Sequence, residues 1–260
     1  MNKFITFTKK EFLEIWRANR LLVLGVVFVF IALIAVLLTR YANEILNALL
    51  SPEEMAAFGI GEGAIPHWSN SYEAFFGNLN QIGMVALILM VMGVVVSEKR
   101  RGTAALMMVK GLGHSTFILA KFFALSLLAF VTLLASLLIN HFLTISLFGA
   151  GAEIGNLMMG FLLYWLFAMM MLSLIILTSS LAKSLAMSAV FGFLGFMALS
   201  IPSSLPRIRE AFPYTISFRA TEVATRGYFS DMLWLNILTA AATTAIFLGA
   251  SIFILRKKEL

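Results

Sequence analysis

The chain has 260 residues, 61% of them hydrophobic and 12% charged, with a net charge of +6 and no cysteine. Soluble domains carry roughly 45–50% apolar and about 25% charged residues, so a water-soluble globular enzyme is excluded and the surplus apolar surface has to face lipid. Without cysteine, disulfide scaffolds, thiolate metal sites, iron–sulfur clusters and cysteine nucleophiles are removed together.

Residues 1–20 come first and form an amphipathic helix candidate. Lys3, Lys10 and Arg17 recur every seven positions on one face, while Phe4, Ile5, Phe12, Ile15 and Trp16 gather on the other. Such a helix lies along a membrane surface. Six stretches without Asp, Glu, Lys or Arg follow, 19 to 31 residues long, and about 20 apolar residues cross a hydrocarbon core of about 30 Å. The spans are expected at about 21–39, 78–97, 122–146, 157–181, 184–205 and 233–255. The fold expected is an all-α polytopic membrane protein with six transmembrane helices, in one domain over residues 1–260.

The basic residues set the orientation. With a cytoplasmic N-terminus, segments 1–20, 98–121, 182–184 and 256–260 lie inside and hold 14 of the 19 Lys and Arg but 4 of the 13 Asp and Glu. The balance is +10 inside and −4 outside, with both termini cytoplasmic, as the positive-inside rule requires. The +6 is thus a topology signal and no nucleic-acid partner is expected. The setting is the cell membrane, with lipids as neighbours.

Between the first two spans, Ser51-Pro52-Glu53-Glu54 reads as the start of a short external helix from Pro52 to about Phe58, which Gly59, Gly61 and Gly63 then break. The last outer segment, 206–231, mixes two prolines, six large apolar or aromatic residues and charges, which suits a short interfacial or re-entrant helix. A turn is expected at Gly149-Ala150-Gly151.

Intramembrane catalysis needs polar groups at depth. No HExxH, paired intramembrane aspartates, GxSxG elbow or GxxxxGK[ST] phosphate loop is present. No catalytic, metal or cofactor site is expected, and the chain is not by itself an enzyme. His141 is the one histidine inside an expected span; at about 28 Å along its helix from Phe122 it reads as an interfacial, hydrogen-bonded residue. Small residues recur every fourth position as Ser184, Ser188 and Gly192 and as Ala241, Ala245 and Gly249, marking helix packing within the chain or contact with a second copy.

The loop over residues 98–121 carries the most information. Glu98 is followed by Lys99, Arg100 and Arg101, then Gly102-Thr103, an apolar stretch from Ala104 to Val109, a turn at Lys110-Gly111-Leu112-Gly113, and Lys121. Gly102 permits a turn, Thr103 suits a helix cap, and Leu106, Met107 and Val109 offer apolar side chains to a partner's groove. A plain positive-inside loop is the alternative. Glu98-x-x-x-Gly102-Thr103, Leu106 and Lys121 together resemble the E-x-x-x-G-T…K signature of ABC-2 type transporter permeases, whose six-span plan and amphipathic entry helix are similar. Lys110 to Ser115 stands where members often carry a Pro-x-Ser/Thr-Arg-like turn.

The resemblance implies the membrane-spanning half of an ABC transporter, an exporter working as two permease copies with two ATPase subunits. ATP would be bound by the partner, and the chain would need no cofactor. Glu98, Lys99, Arg100, Arg101, Gly102, Thr103 and Leu106 would then form a coupling helix between helices 2 and 3, docking the ATPase. Alternatives are an ATP-independent secondary transporter or channel, which lacks ion-coupling residues in the spans, and a non-transporting assembly or sensor subunit.

Overall fold

The computed structural model describes residues 3–49, 51 and 67–257, and every regular element among them is helical. α1 (Lys3–Arg17) ends at Asn19, whose left-handed backbone (φ 53°) turns the chain into α2 (Arg20–Arg40). α3 (Ala42–Leu49) follows. The external helix expected from Pro52 to Phe58 lies outside the described residues.

The second apolar run, Trp68–Arg100, is 33 residues long. α4 (Trp68–Asn78) is capped by His67, which accepts from the Ser69 N–H. A five-residue π turn, Leu79–Gly83, leads into α5 (Met84–Val91). A break at Met92–Val95 separates α5 from α6 (Val96–Arg100). The run starts ten residues before the expected 78, because Glu73 points out of the bundle and pairs with Arg226 at 3.2 Å while Tyr72, Phe75 and Phe76 are buried. One charge on the outer face of a helix does not end it.

After α7 (Thr103–Val109), α8 (His114–Phe148) runs for 35 residues, about 52 Å, and also starts earlier than expected. Lys121, taken as a boundary in the sequence, is buried mid-helix with its charge compensated. α8 stops at Gly149 (φ 71°), in the anticipated turn. α9 (Ile154–Leu181) is the centre of the bundle and packs on its neighbours on all sides. Met170 and Met171 are fully buried there and serve as packing residues.

The stretch expected to span at 184–205 folds as α10 (Leu185–Ser200), only 16 residues, about 24 Å. Helical turns at Pro202–Ser204, α11 (Pro206–Arg209) and Pro213–Thr215 then lead to α12 (Ile216–Arg226) and α13 (Leu233–Lys257). Among the described residues, five helical runs are therefore long and apolar enough to cross a membrane: α2, Trp68–Arg100, α8, α9 and α13. α12 folds back against α9. Tyr214, just before it, stands edge-on to Phe167 at a centroid distance of 5.0 Å, near the middle of α9. A short helix was expected within residues 206–231, and α12 is that helix.

The bundle has two distinct ends. At one, Tyr72 Oη meets His141 Nδ1 at 2.6 Å and accepts from the Ala152 N–H at 3.4 Å, so His141 is hydrogen-bonded as anticipated. α1, α6, α7 and the start of α8 meet at the other, basic end, which carries the motif residues.

Candidate functional site

α1 crosses the basic end of the bundle and packs on α8. Its buried face is Phe7, Thr8, Glu11 and Ile15, spaced as one helical stripe, whereas Ile5 and Trp16 of the expected apolar face are 53% and 71% exposed. The stripe therefore inserts an acid into the protein. Glu11 Oε1 and Oε2 accept from Lys121 Nζ at 2.9 and 3.0 Å. The same ammonium reaches Glu98 Oε1 at 3.0 Å and lies 4.9 Å from the centre of the Phe117 ring. Lys10 completes the group, donating to Glu14 at 2.8 Å, to Glu11 at 3.0 Å and to Glu98. Glu98 and Lys121, 23 residues apart in the motif, are thus joined directly, and α1 supplies the other half of the cluster.

Lys121 is 1% exposed and Glu11 4%, so their ion pairs are formed away from water. Such pairs persist only with close geometry and satisfied hydrogen bonds. The carboxylate oxygens of Glu11, Glu14 and Glu98 approach one another within 4.8 Å, a spacing that could also hold a metal ion. Here two ammonium groups supply the counter-charge. Glu98 Oε2 is buried without a hydrogen bond.

Lys10 would lose basicity through burial, but hydrogen bonds to Glu14 and Glu98 and the charge of Glu11 outweigh this and raise its pKa. Burial would raise Glu14, yet the Lys10 hydrogen bond and the charges of Lys121, Lys10 and Arg20 hold it below its ordinary value. A lowered acid contributes stability above its unfolded pKa and loses it as pH falls through the folded one; a raised lysine contributes below its unfolded pKa and loses it as pH rises through the folded one. Both contributions are therefore present between the ordinary carboxyl and lysine values of 4.5 and 10.5. Thermal unfolding of the detergent-solubilised protein is expected to show a plateau across this window with an acid limb below it. In Glu14→Gln that limb should shrink; an unchanged limb would remove Glu14 from the account.

The remaining motif residues connect the cluster to the bundle. Lys99 Nζ donates to the Ser180 and Ala182 carbonyls at 2.8 and 3.4 Å, at the negative end of α9. Ser179 Oγ spans the break between α5 and α6, accepting from the Val95 and Val96 N–H groups at 3.1 Å each and donating to the Met92 carbonyl at 2.8 Å. Ser188 Oγ donates to the same carbonyl at 2.7 Å. Gly102 adopts φ 70° with open space around it, so the backbone rather than packing requires glycine there. Thr103 does not cap α7; its hydroxyl donates to the Glu98 carbonyl at 3.2 Å, and Gly102 occupies the cap position. Arg100 and Arg101 are exposed.

α7 itself is anchored by Ala104, which is fully buried, and presents Leu106 and Val109 outward at 63% and 86% exposure. Beside it, Lys3, Thr6, Phe7, Lys10, Met107, Lys110 and Leu112 line a groove of about 400 Å³ between α1 and α7. Lys3 Nζ closes one side by donating to the Gly111 carbonyl at 2.8 Å.

Of the small-residue positions, Ser188 and Gly192 are used inside the chain: a Cβ on Gly192 would meet Ile88 at 3.1 Å. Ser184 caps α10 through the Met187 N–H. Ala241, Ala245 and Gly249 are exposed on α13. The sequence reading missed Glu11, Lys10 and Glu14. The available signal was an acid at the i+4 position between Phe7 and Ile15.

These helices and their connections define a multi-pass membrane protein whose motif residues meet at one end of the bundle. The protein-family comparison makes that specific. The family model described as ABC-2 family transporter protein matches residues 5–260, and the chain belongs to that family. No curated protein matches it. The family is a membrane transport component, not itself catalytic, and generally pairs with an ABC ATPase subunit.

Proposed function

We propose that this chain is the permease subunit of an ABC exporter in the cell membrane, working as two copies with two separate ATPase subunits that dock on α7. The carrying observation is the route out of α7. Glu98, at its root, is paired to α8 through Lys121 and to α1 through Lys10, while Lys99 holds the end of α9. Displacing α7 therefore pulls on three helices through buried and half-buried polar contacts. The ATPase would close on ATP and move α7, and the permeases would rock between inward and outward access because nucleotide binds the two states unequally. The α1–α7 groove, with three lysines over an apolar floor, suits an acidic and partly apolar surface of that subunit. Both termini are cytoplasmic in this reading, and α10 with the returning α11–α12 segment makes the fifth of six crossings.

The test is co-purification under mild extraction with the ATPase encoded beside it. Leu106→Asp with Val109→Asp is expected to abolish the association while leaving the permease's own unfolding temperature unchanged, since both side chains are exposed. A wild-type chain that retains no ATPase would overturn the proposal and leave an ATP-independent transporter or an assembly subunit.

A further inference from the structure

The break between α5 and α6 has a specific chemical cause. In a continuous helix the Val96 N–H would donate to the Met92 carbonyl, four residues back. Here the Ser179 hydroxyl of α9 stands between them, accepting from the Val96 N–H at 3.1 Å and donating to the Met92 carbonyl at 2.8 Å. It also accepts from the Val95 N–H at 3.1 Å, because the Val91 carbonyl that this group would use is taken at 2.9 Å by the Val94 N–H in a tighter turn. A side chain inserted into the hydrogen-bond ladder bends a helix. On either side the ladder is regular, with the Met92 N–H on the Ile88 carbonyl at 2.8 Å and the Ser97 N–H on the Gly93 carbonyl at 3.0 Å. The interruption is one hydroxyl wide.

Ser179, Val95 and Val96 are fully buried, so both N–H groups depend on that oxygen. A second arrangement satisfies the same groups. If the hydroxyl withdraws, the Val96 N–H reaches the Met92 carbonyl directly and α5 and α6 become one helix. Ser179 can then donate to a carbonyl of its own helix, as Ser180 does to Ile176 at 2.8 Å and Thr178 to Ile175 at 3.0 Å. Gly93, within the break, weakens the continuous form. The bent and continuous forms therefore differ by the exchange of a few local hydrogen bonds, which is what a two-state hinge requires. α6 beyond the hinge carries Glu98, and α7 follows it.

We propose that Ser179 is a positioning residue for energy coupling: its hydroxyl, entering and leaving the Met92–Val96 hydrogen bond, switches the second span between a bent and a continuous form and so swings Glu98 and α7 relative to the bundle. That an ATPase drives the swing rests on the permease reading; the two-state hinge does not.

The chain has no cysteine, so nitroxide labels at Arg100→Cys and Arg256→Cys, both exposed, report the tilt of α6. Pulsed electron paramagnetic resonance is recorded on the full-length protein in nanodiscs, diluted with unlabelled chain. Arg100 lies five residues beyond Val95, about 7 Å, and a bend of more than about 20° displaces it by about 2–3 Å. Ser179→Ala is expected to move the distance distribution by that amount. Gly93→Ala, which keeps Ser179 and favours the continuous helix, should move it the same way. Ser188→Ala removes the other hydroxyl on the Met92 carbonyl, which accepts no N–H, and should leave the distribution in place. In the cysteine-free protein, Ser179→Ala should retain the ATPase and its KM for ATP while the stimulated kcat falls on the order of tenfold, the loss that a misplacement of about 1 Å can exceed. A distribution unmoved by both Ser179→Ala and Gly93→Ala, or moved equally by Ser188→Ala, would overturn the proposal, leaving Ser179 as the cap of a fixed break. An ATPase-bound chain with an immobile α6 overturns this inference alone, and an ATPase-free chain whose α6 shifts as expected overturns only the permease reading.

Discussion

Lys121→Met is expected to destabilise the protein by about 3–5 kcal/mol, the typical result of removing one partner from a buried ion pair. The ammonium holds both oxygens of Glu11 and one of Glu98, and it is 1% exposed. Without it two carboxylates face each other out of water, with only Lys10 between them. Lost attraction is the smaller part of the effect; the larger part is the uncompensated charge left behind. Neutralising the acids together with the lysine, as Glu11→Gln, Glu98→Gln, Lys121→Met, should therefore recover most of the loss, because replacing a whole buried pair is often near neutral. Chemical unfolding of the two variants in detergent measures both values. Equal destabilisation of the single and triple variants would mean that the cluster is held by something other than charge compensation. If the proposed coupling is correct, the triple variant keeps its stability and its ATPase but stimulates turnover poorly, since the link from α7 to α1 and α8 has lost its charges.

Gly160→Ala is expected to cost about 1–3 kcal/mol, the usual range for overpacking, although alanine is ordinarily the better helix former. A Cβ at this position of α9 would stand 2.6 Å from the Ala220 carbonyl oxygen and 2.6 Å from the Ala224 Cβ on α12. Neither is the end of a flexible side chain, so α12 would have to move away from α9. Gly155→Ala, earlier on α9 with nothing within 4 Å of the added Cβ, is the matched control. There the propensity gain of roughly 0.5–1 kcal/mol is unopposed. Thermal unfolding of the pair decides the matter: if both variants shift in the same direction, the close approach of α9 and α12 is not what requires glycine at 160. The same displacement should loosen Tyr214 from Phe167, which near-ultraviolet circular dichroism would register.

Much of this molecule is determined by local rules. Apolar length placed the five long helical runs, because a membrane core imposes a minimum length and the backbone must satisfy its own hydrogen bonds there. The distribution of lysine and arginine picked out one end of the bundle, and the spacing of Glu98, Gly102, Thr103 and Lys121 identified the loop that carries the motif. Gly102 was legible because a positive φ is a backbone requirement that glycine alone meets readily.

Other features needed the tertiary structure. Charged residues looked like boundaries, yet Lys121 lies inside α8 because an acid 110 residues away in the chain compensates it. Glu73 lies inside α4 because it faces outward toward Arg226. The 184–205 stretch has enough apolar residues to span, but its helix ends at Ser200 and the chain turns back to pack on α9. By itself the sequence determined which stretches are apolar enough to enter a membrane, which segments are basic and where the motif lies, since hydropathy and charge are sums over neighbouring residues. Only the tertiary structure decided which charges are buried together and which polar groups are left facing out, because both depend on contacts between helices far apart in the chain.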